Sequence, residues 1–158
     1  PVALQFDYKV KMSDRENRIR ATGFSKITDV PGKDYPAAIL LLQKRWEDAN
    51  GNVYAKRIGT MVTYYYHSTD WKNNVTYEIM YGDITNRPEY KAHMMRLQAT
   101  ESYTVNSKGE SVPIHEVAWG DENDVPTHMY IQFTSSHGGA YIGSPGNTLW
   151  VDNVKLVY

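Results

Sequence analysis

Apolar and polar residues alternate with a period of two along most of the chain, a pattern that predicts β-strands with one buried face. The first such segment places Leu4 and Phe6 on one face and Gln5 on the other. Turn signals rich in Gly, Asn and Pro separate the segments. The predicted strands cover residues 2–11, 37–46, 55–67, 75–81, 112–119, 128–135 and 148–158. Short alternating strands without an internal repeat predict an all-β fold, an antiparallel β-sandwich.

The last predicted strand, residues 148–158, is strongly apolar. We therefore expect it to be paired, buried and central, with the N-terminal strand closing against it. Leu149, Val151 and Leu156 are expected in the core. Asn153 shifts the alternation between these positions, which predicts a β-bulge.

Two further segments carry weaker local signals. In residues 86–101, Asn86 followed by Glu89 resembles a capping box and predicts one short helix. A strand over residues 92–100 is the alternative interpretation. The sequence therefore does not decide whether residues 87–121 form a helix or strands. Residues 12–20 are charged and expected at the surface, and residues 21–36 are expected to be loop with at most a short strand around residues 24–27.

The last thirty residues carry a longer motif. Thr-Ser-Ser ends a strand, a glycine-rich loop follows, and then comes Gly-Ser-x-Gly-x-Thr-Leu-x-Val-Asp-Asn-Val-x-Leu-x-Tyr. This motif resembles the C-terminal signature of a family of carbohydrate-metabolism domains from secreted or surface proteins of gut bacteria. The residues that carry it are Thr134, Ser135, Ser136, Gly143, Ser144, Gly146, Thr148, Leu149, Val151, Asp152, Val154, Leu156 and Tyr158.

The resemblance implies a jelly-roll-like sandwich, a secreted, periplasmic or cell-surface location, and a link to glycoside hydrolysis. The ending Leu-x-Val-Asp-Asn-Val is also similar to jelly-roll carbohydrate-binding modules, which implies calcium ligation at Asp152. The alternative for Asp152 is that it accepts hydrogen bonds at a strand bend. Residues 87–121 depart from the family pattern, as an insertion would.

Composition limits the function further. The 158 residues suit one domain, and a formal net charge of -1 gives no electrostatic attraction to nucleic acid. No apolar run approaches the roughly 20 residues that span a bilayer, so no membrane insertion is expected. Without cysteines there are no disulfides or thiolate metal sites. The chain begins at Pro1, inside a predicted strand, which suggests a domain excised from a longer secreted or surface protein.

Aromatic content is the unusual feature: thirteen Tyr and four Trp accompany three Phe. An all-β core can use Tyr freely, but amphipathic rings also form surfaces on which sugars stack. Polar flanks make several aromatics candidates, and for Trp71, in a predicted polar loop, core and ligand are equally good interpretations. For Trp150 packing against a second layer is favoured. The candidate carbohydrate-binding residues are Arg45, Trp46, Tyr64, Tyr66, Trp71 and Trp119.

Catalytic patterns are weak by comparison. A glycosidase needs two carboxylates about 5–9.5 Å apart, and Glu78 is the best single candidate, with an ordinary solvent-facing strand residue as the alternative. The five histidines lack the spacing of a zinc site. Three functions follow: a carbohydrate-binding module, a glycoside hydrolase with an unrecognised carboxylate pair, or a structural protein-interaction module. The first is preferred, and the sequence leaves the sugar, the linkage and the oligomeric state open.

Overall fold

The computed structural model describes residues 1–22, 26–121 and 123–158, and every regular element in this part of the chain is a β-strand. The all-β prediction is confirmed. Across the same residues, no helix has the length and apolar character needed to cross a membrane. The strands are β1 (Ala3–Lys11), β2 (Arg18–Thr22), β3 (Lys26–Val30), β4 (Ala37–Glu47), β5 (Val53–Tyr64), β6 (Thr69–Glu78), β7 (Met80–Tyr81), β8 (Tyr103–Val105), β9 (Ser111–Trp119), β10 (His128–Thr134), β11 (Ile142–Gly143) and β12 (Thr148–Val157).

The strands form three sheets. The terminal sheet has the order β12-β1-β6, the small sheet β11-β2-β3, and the long sheet β10-β4-β5-β9-β8 with β7 paired to β5. Strands β5 and β9 run parallel, so the long sheet is mixed where a purely antiparallel sheet was predicted.

The chain divides into two compact units. The first unit comprises Pro1–Ala38, Thr63–Glu78 and Gln132–Tyr158, and the second comprises Ile39–Val62 and Ile79–Ile131. That residues 1–158 form a single domain, and that their connectivity is a jelly roll, stay predictions.

Strand β1 is the centre of the terminal sheet, because it pairs with β12 on one side and β6 on the other. The N-terminal strand therefore closes against the C-terminal strand, as predicted. Leu4, Phe6 and Val10 are fully buried on its inner face. The Phe6 ring lies 5.2 Å from Tyr77 of β6 and, edge-on, 5.0 Å from Phe133 of β10. The first unit thus has the sandwich-like packing of two strand layers.

Strand β12 differs from its prediction in one respect. It is paired, but it lies at the edge of the terminal sheet and not at its centre. Leu149, Val151 and Leu156 are consequently only half-buried, so the prediction that they are core residues is wrong. The predicted bulge is present: Asn153 has φ 51° and the register with β1 shifts beside it.

Strand β4 is an interior strand of the long sheet, between β10 and β5, and its first half is buried. The six residues from Ala37 to Leu42 are all buried on both faces. A hairpin connects β4 to β5, and Gly51 adopts φ 91° in its turn, a conformation that favours glycine. The Asp48 carboxylate accepts the backbone N–H groups of Asn50 and Asn52, which fixes the register of the two strands.

A buried ion pair crosses the long sheet. Arg57 of β5 donates its Nε–H to Glu116 of β9 at 2.6 Å, and a second guanidinium N–H binds the other carboxylate oxygen. The two side chains are 0% and 1% exposed. Gln43 of β4 adds a third hydrogen bond to the carboxylate, at 2.5 Å. Burial of both charges is tolerable because each has several polar partners.

This ion pair explains why the predicted helix over residues 86–101 is wrong. Arg57 donates to the Met95 carbonyl at 3.1 Å, and the Gln98 N–H donates to the Glu116 carboxylate at 2.8 Å. These backbone groups therefore have partners in the long sheet, where a helix would pair them within the segment. The alternative strand over residues 92–100 is also absent, and the segment consists of turns.

Strands β2 and β3 form a hairpin in a region that the sequence assigns to charged surface and loop. Most of their residues are exposed and none is buried, so no buried face imposes alternation on them. Ile27, at the end of the strand expected around residues 24–27, lies in β3. Residues 24 and 25 of that prediction fall outside the described residues.

Candidate functional site

Three aromatic rings form a row across the second unit's sheet: Trp46 of β4, Tyr54 of β5 and His115 of β9. The Trp46 and Tyr54 rings are 5.9 Å apart with planes inclined by 22°. The Tyr54 and His115 rings are 5.6 Å apart. Trp46 is 43% exposed and the other two are partly exposed. The result is a solvent-facing aromatic row on three adjacent strands.

The sequence places these rings on one face through strand pairing. Asp48 donates its backbone N–H to the Asn52 carbonyl across the hairpin, so that Trp46 comes opposite Tyr54 two residues further along each strand. Tyr54 is in turn the register partner of His115 on β9. Directly opposed residues share a face, which gives the row its regular spacing.

Charged groups flank the aromatic row on the same face, because strand residues two apart point the same way. Lys44 and Lys56 both bind the Asp124 carboxylate, at 2.9 and 3.1 Å. The Lys44 hydrogen bond, with help from the Asp121 N–H and Lys56, lowers the pKa of Asp124 to about 2. Asp124 is therefore ionised at neutral pH and offsets the repulsion between the two ammonium groups.

Trp46 also lines a cleft of about 230 Å³. Arg45, Trp46, Glu47 and His128 line it, together with Val53, Thr104 and Val105. Burial, followed by the nearby Arg45 charge, lowers the pKa of His128. The neutral imidazole is thus the dominant form at neutral pH, and it can both donate and accept hydrogen bonds.

Two other predicted residues come together in the first unit. The rings of Tyr64 and Tyr66 are 6.4 Å apart. Tyr66 packs edge-on against Tyr35 at 4.7 Å, and Tyr64 against His137 at 5.7 Å. Burial, followed by Asp34 and Tyr66, raises the pKa of Tyr64. These rings pack on one another, and Tyr66 remains 48% exposed.

Two tryptophans have surroundings that the sequence did not predict. Trp71 lies in strand β6 and not in a polar loop, and it is 47% exposed. Its strand is at the edge of the terminal sheet, with register shifts on both sides of Tyr8 in β1. Trp150 is 40% exposed, with the Lys9 ammonium 5.6 Å from its ring centre. The interpretation that Trp150 packs against a second layer is wrong.

Trp119 lines a different cleft in the second unit, with a volume of about 500 Å³. Thr85, Asn86, Arg96 and Leu97 complete the lining. The Arg57 guanidinium lies 5.6 Å from the Trp119 ring centre, a cation–π geometry. The structure therefore does not place Trp119 in the aromatic row, and the predicted carbohydrate-binding residues fall at several distinct places.

The two remaining candidates, Glu78 and Asp152, lie on the edge strands of the terminal sheet. Glu78 is an exposed residue at the end of β6, in register with Ala3. Asp152 is the register partner of Asp7, and it accepts the Asn153 N–H at 2.7 Å. That hydrogen bond at the bulge matches the alternative to calcium ligation. Among residues 1–22, 26–121 and 123–158, no three His, Asp or Glu side chains form a group that could hold a metal.

Sequence reasoning missed Tyr54 and His115, the partners of Trp46. The Asn50-Gly51 turn carried a usable signal for Tyr54, because a hairpin centred there places residues 46 and 54 opposite each other. His115 had no such signal. Its position depends on the parallel pairing of β5 with β9, which joins strands about sixty residues apart.

In comparisons with known proteins, no family model, no curated protein and no solved structure matches the chain. The resemblance of its C-terminal motif to carbohydrate-metabolism domains stays a prediction. Function is therefore inferred from the geometry of the site.

Proposed function

We propose that the protein binds carbohydrate through the aromatic row Trp46–Tyr54–His115. The observation that carries this proposal is the near-parallel Trp46 and Tyr54 pair, at 5.9 Å and partly open to solvent. Sugar rings present apolar C–H faces that stack on aromatic rings, while their hydroxyl groups need polar partners. The row offers both kinds of contact on one rigid sheet.

The polar partners lie around the rings. The Asp48 carboxylate is 3.5 Å from the Tyr54 hydroxyl and is held in place by the turn. Lys44 and Lys56 lie further along the same face, and Arg45 and His128 line the cleft of about 230 Å³ that Trp46 also lines. Carboxylate, ammonium, guanidinium and imidazole groups together supply donors and acceptors for hydroxyls.

A rigid support favours this function. The hairpin below the rings is fixed by three hydrogen bonds to Asp48, two from backbone N–H groups and one from the Asn52 side chain at 2.9 Å. The same contacts lower the pKa of Asp48, so its carboxylate is ionised at neutral pH. Ligand binding therefore orders little additional backbone, which reduces its entropic cost.

The test is binding of the intact protein to a glycan panel, followed by titration calorimetry on the best neutral glycan. Trp46→Ala is expected to weaken binding at least tenfold, because loss of a stacked ring typically removes more than about 1.4 kcal/mol. The matched control is Tyr103→Ala, which removes a ring that is 63% exposed on β8 of the same unit. Equal loss in both variants, or none in Trp46→Ala, would rule out the aromatic row.

A further inference from the structure

The cleft beside Trp119 lies on the opposite face of the long sheet from the aromatic row. Trp119 is the register partner of Arg57, and directly opposed residues share a face. Tyr54 is three residues before Arg57 on β5, an odd separation that puts their side chains on opposite faces. The cleft and the row are therefore separate places on the molecule.

The cleft has the size and the mixed lining of a small-molecule site. Its volume of about 500 Å³ falls within the range of roughly 300–1,000 Å³ for ligand pockets. Trp119 and Leu97 provide apolar surface, while Thr85, Asn86 and Arg96 provide polar groups. A lining that combines an aromatic ring with hydrogen-bonding side chains suits a ligand with one apolar face and several polar substituents.

The buried ion pair fixes the wall that carries Arg96. The Arg57 guanidinium donates to the Arg96 carbonyl at 3.3 Å and to the Met95 carbonyl at 3.1 Å. Since Glu116 neutralises Arg57, the side chain of Arg96 is the cation exposed in the cleft. Its contact with the Tyr90 hydroxyl is long, 3.5 Å, and involves only Nε. The terminal N–H groups of Arg96 can therefore form the two parallel bonds that bind a carboxylate.

Thr85 and Asn86 supply further polar groups to the lining. The Thr85 hydroxyl donates to the Asp83 carboxylate at 2.6 Å, which leaves its oxygen lone pairs to accept from a ligand hydroxyl. Asp83 also accepts the Thr85 N–H at 2.9 Å, so its charge is held in the turn. The Asn86 amide, which is exposed, can both donate and accept.

We propose that this cleft binds a carboxylated sugar ring of the uronic acid class, with the carboxylate on Arg96, the ring against Trp119 and ring hydroxyls on Thr85 and Asn86. A planar guanidinium selects the carboxylate, and the tryptophan selects a ring. This assignment does not depend on carbohydrate binding by the aromatic row.

The experiment is titration of the intact protein with galacturonic acid and, in parallel, with galactose, followed by NMR chemical shifts and calorimetry. Galacturonic acid is expected to bind at least tenfold more tightly than galactose, because galactose lacks the carboxylate. Arg96→Gln should weaken galacturonate binding roughly ten- to a hundredfold, the usual range for a hydrogen-bonded charge. Arg96→Lys should restore only part of it, since an ammonium cannot form the paired bonds.

A control variant tests whether the binding belongs to this cleft. Arg20→Gln removes an exposed arginine on β2 of the first unit and should leave galacturonate binding unchanged. Trp46→Ala is measured on the neutral glycan and Arg96→Gln on galacturonate, so that failure of the aromatic row and failure of this cleft are distinguishable. The proposal is overturned if Arg96→Gln binds galacturonate like the parent, if Arg20→Gln loses as much affinity as Arg96→Gln, or if galactose binds equally well.

Discussion

The Arg57 guanidinium forms paired hydrogen bonds with the Glu116 carboxylate inside the second unit, where neither side chain reaches solvent. This pair joins the parallel strands β5 and β9 and also fixes the backbone at Met95, Arg96 and Gln98. One ionic contact thus supports both the sheet that carries the aromatic row and the wall of the Trp119 cleft. The stability of the second unit should be unusually sensitive to it.

Removal of one partner tests that sensitivity. Glu116→Gln leaves the buried Arg57 charge without its counter-ion, and we expect a loss of about 3–5 kcal/mol in the free energy of unfolding. Urea unfolding followed by tryptophan fluorescence measures it. Glu89→Gln, at an exposed position, is the control and should change stability by less than about 0.5 kcal/mol. The double variant Arg57→Met, Glu116→Leu should lose less stability than Glu116→Gln, and a larger loss would contradict the role assigned to the unpaired charge.

The lowered pKa of Asp124 predicts how the free energy of unfolding depends on pH in the acidic range. Its pKa is about 2 in the folded protein, below the ordinary value of 3.8, chiefly because of the Lys44 hydrogen bond. A lowered folded pKa contributes stability that is present above about pH 4 and lost as the pH falls from about 4 to 2. Asp124→Asn should therefore remove this part of the acid dependence in unfolding experiments between about pH 5 and 2. The control Asp14→Asn, at an exposed site, should keep the parent's pH profile.

Leu40 is more deeply buried than Leu149, whereas the sequence predicted Leu149 in the core. Leu40 of β4 is fully buried, whereas Leu149 on edge strand β12 is half-buried. Leu40→Ala should destabilise the protein by about 2–5 kcal/mol, the usual range for a buried large-to-small change. Leu149→Ala should lose clearly less, because less apolar surface leaves water there on folding. Equal losses in thermal or urea unfolding would place Leu149 in the core after all.

Gly59 of β5 has no room for a side chain. An added Cβ would lie 2.8 Å from Ile79 Cγ2 and 3.1 Å from Leu42 Cδ1. Gly59→Ala should therefore destabilise the second unit by roughly 1–3 kcal/mol through overpacking. Ile79→Ala removes the closest atom, so the double variant should lose less stability than the sum of the two single variants. Strict additivity in a double-mutant cycle would contradict a steric cause.

The fold was predictable where local pattern and tertiary environment agree. Alternation located β1 and β9, and the apolar run beginning at Ala37 forms the buried first half of β4. The local pattern was misleading for residues 86–101. Their capping signal is local, but the hydrogen-bond partners of their backbone, Arg57 and Glu116, come from distant strands. No local pattern reports such partners.

The site was only partly predictable for a similar reason. Trp46 was recognisable from its polar flanks, and Tyr54 could have been placed from the Asn50-Gly51 turn. Arg96 lies in a segment that was predicted as a helix, so its position beside Trp119 could be found only from the structure of that segment. Trp71 shows the opposite error: polar neighbours suggested a loop, but edge strands tolerate polar residues on both faces.

Salt should distinguish the two proposed sites. Binding of a neutral glycan to the aromatic row depends on ring stacking, which screening by ions barely affects. Binding of galacturonate in the Trp119 cleft depends on the charge of the exposed Arg96, which salt screens. Raising sodium chloride from about 0.05 to 0.5 M shortens the Debye length from about 14 to 4 Å. This should weaken galacturonate binding several-fold and change the affinity for the neutral glycan by less than about twofold.

Titration calorimetry on the parent and on Arg96→Gln measures this effect. Any galacturonate affinity that remains in Arg96→Gln should be less dependent on salt than that of the parent, because the charged contact is gone. If the neutral glycan lost as much affinity as galacturonate, the lysines beside the row would contribute more than Trp46 and Tyr54 do. Lys56→Met would then weaken neutral-glycan binding more than Trp46→Ala does, and binding on that face would be electrostatic.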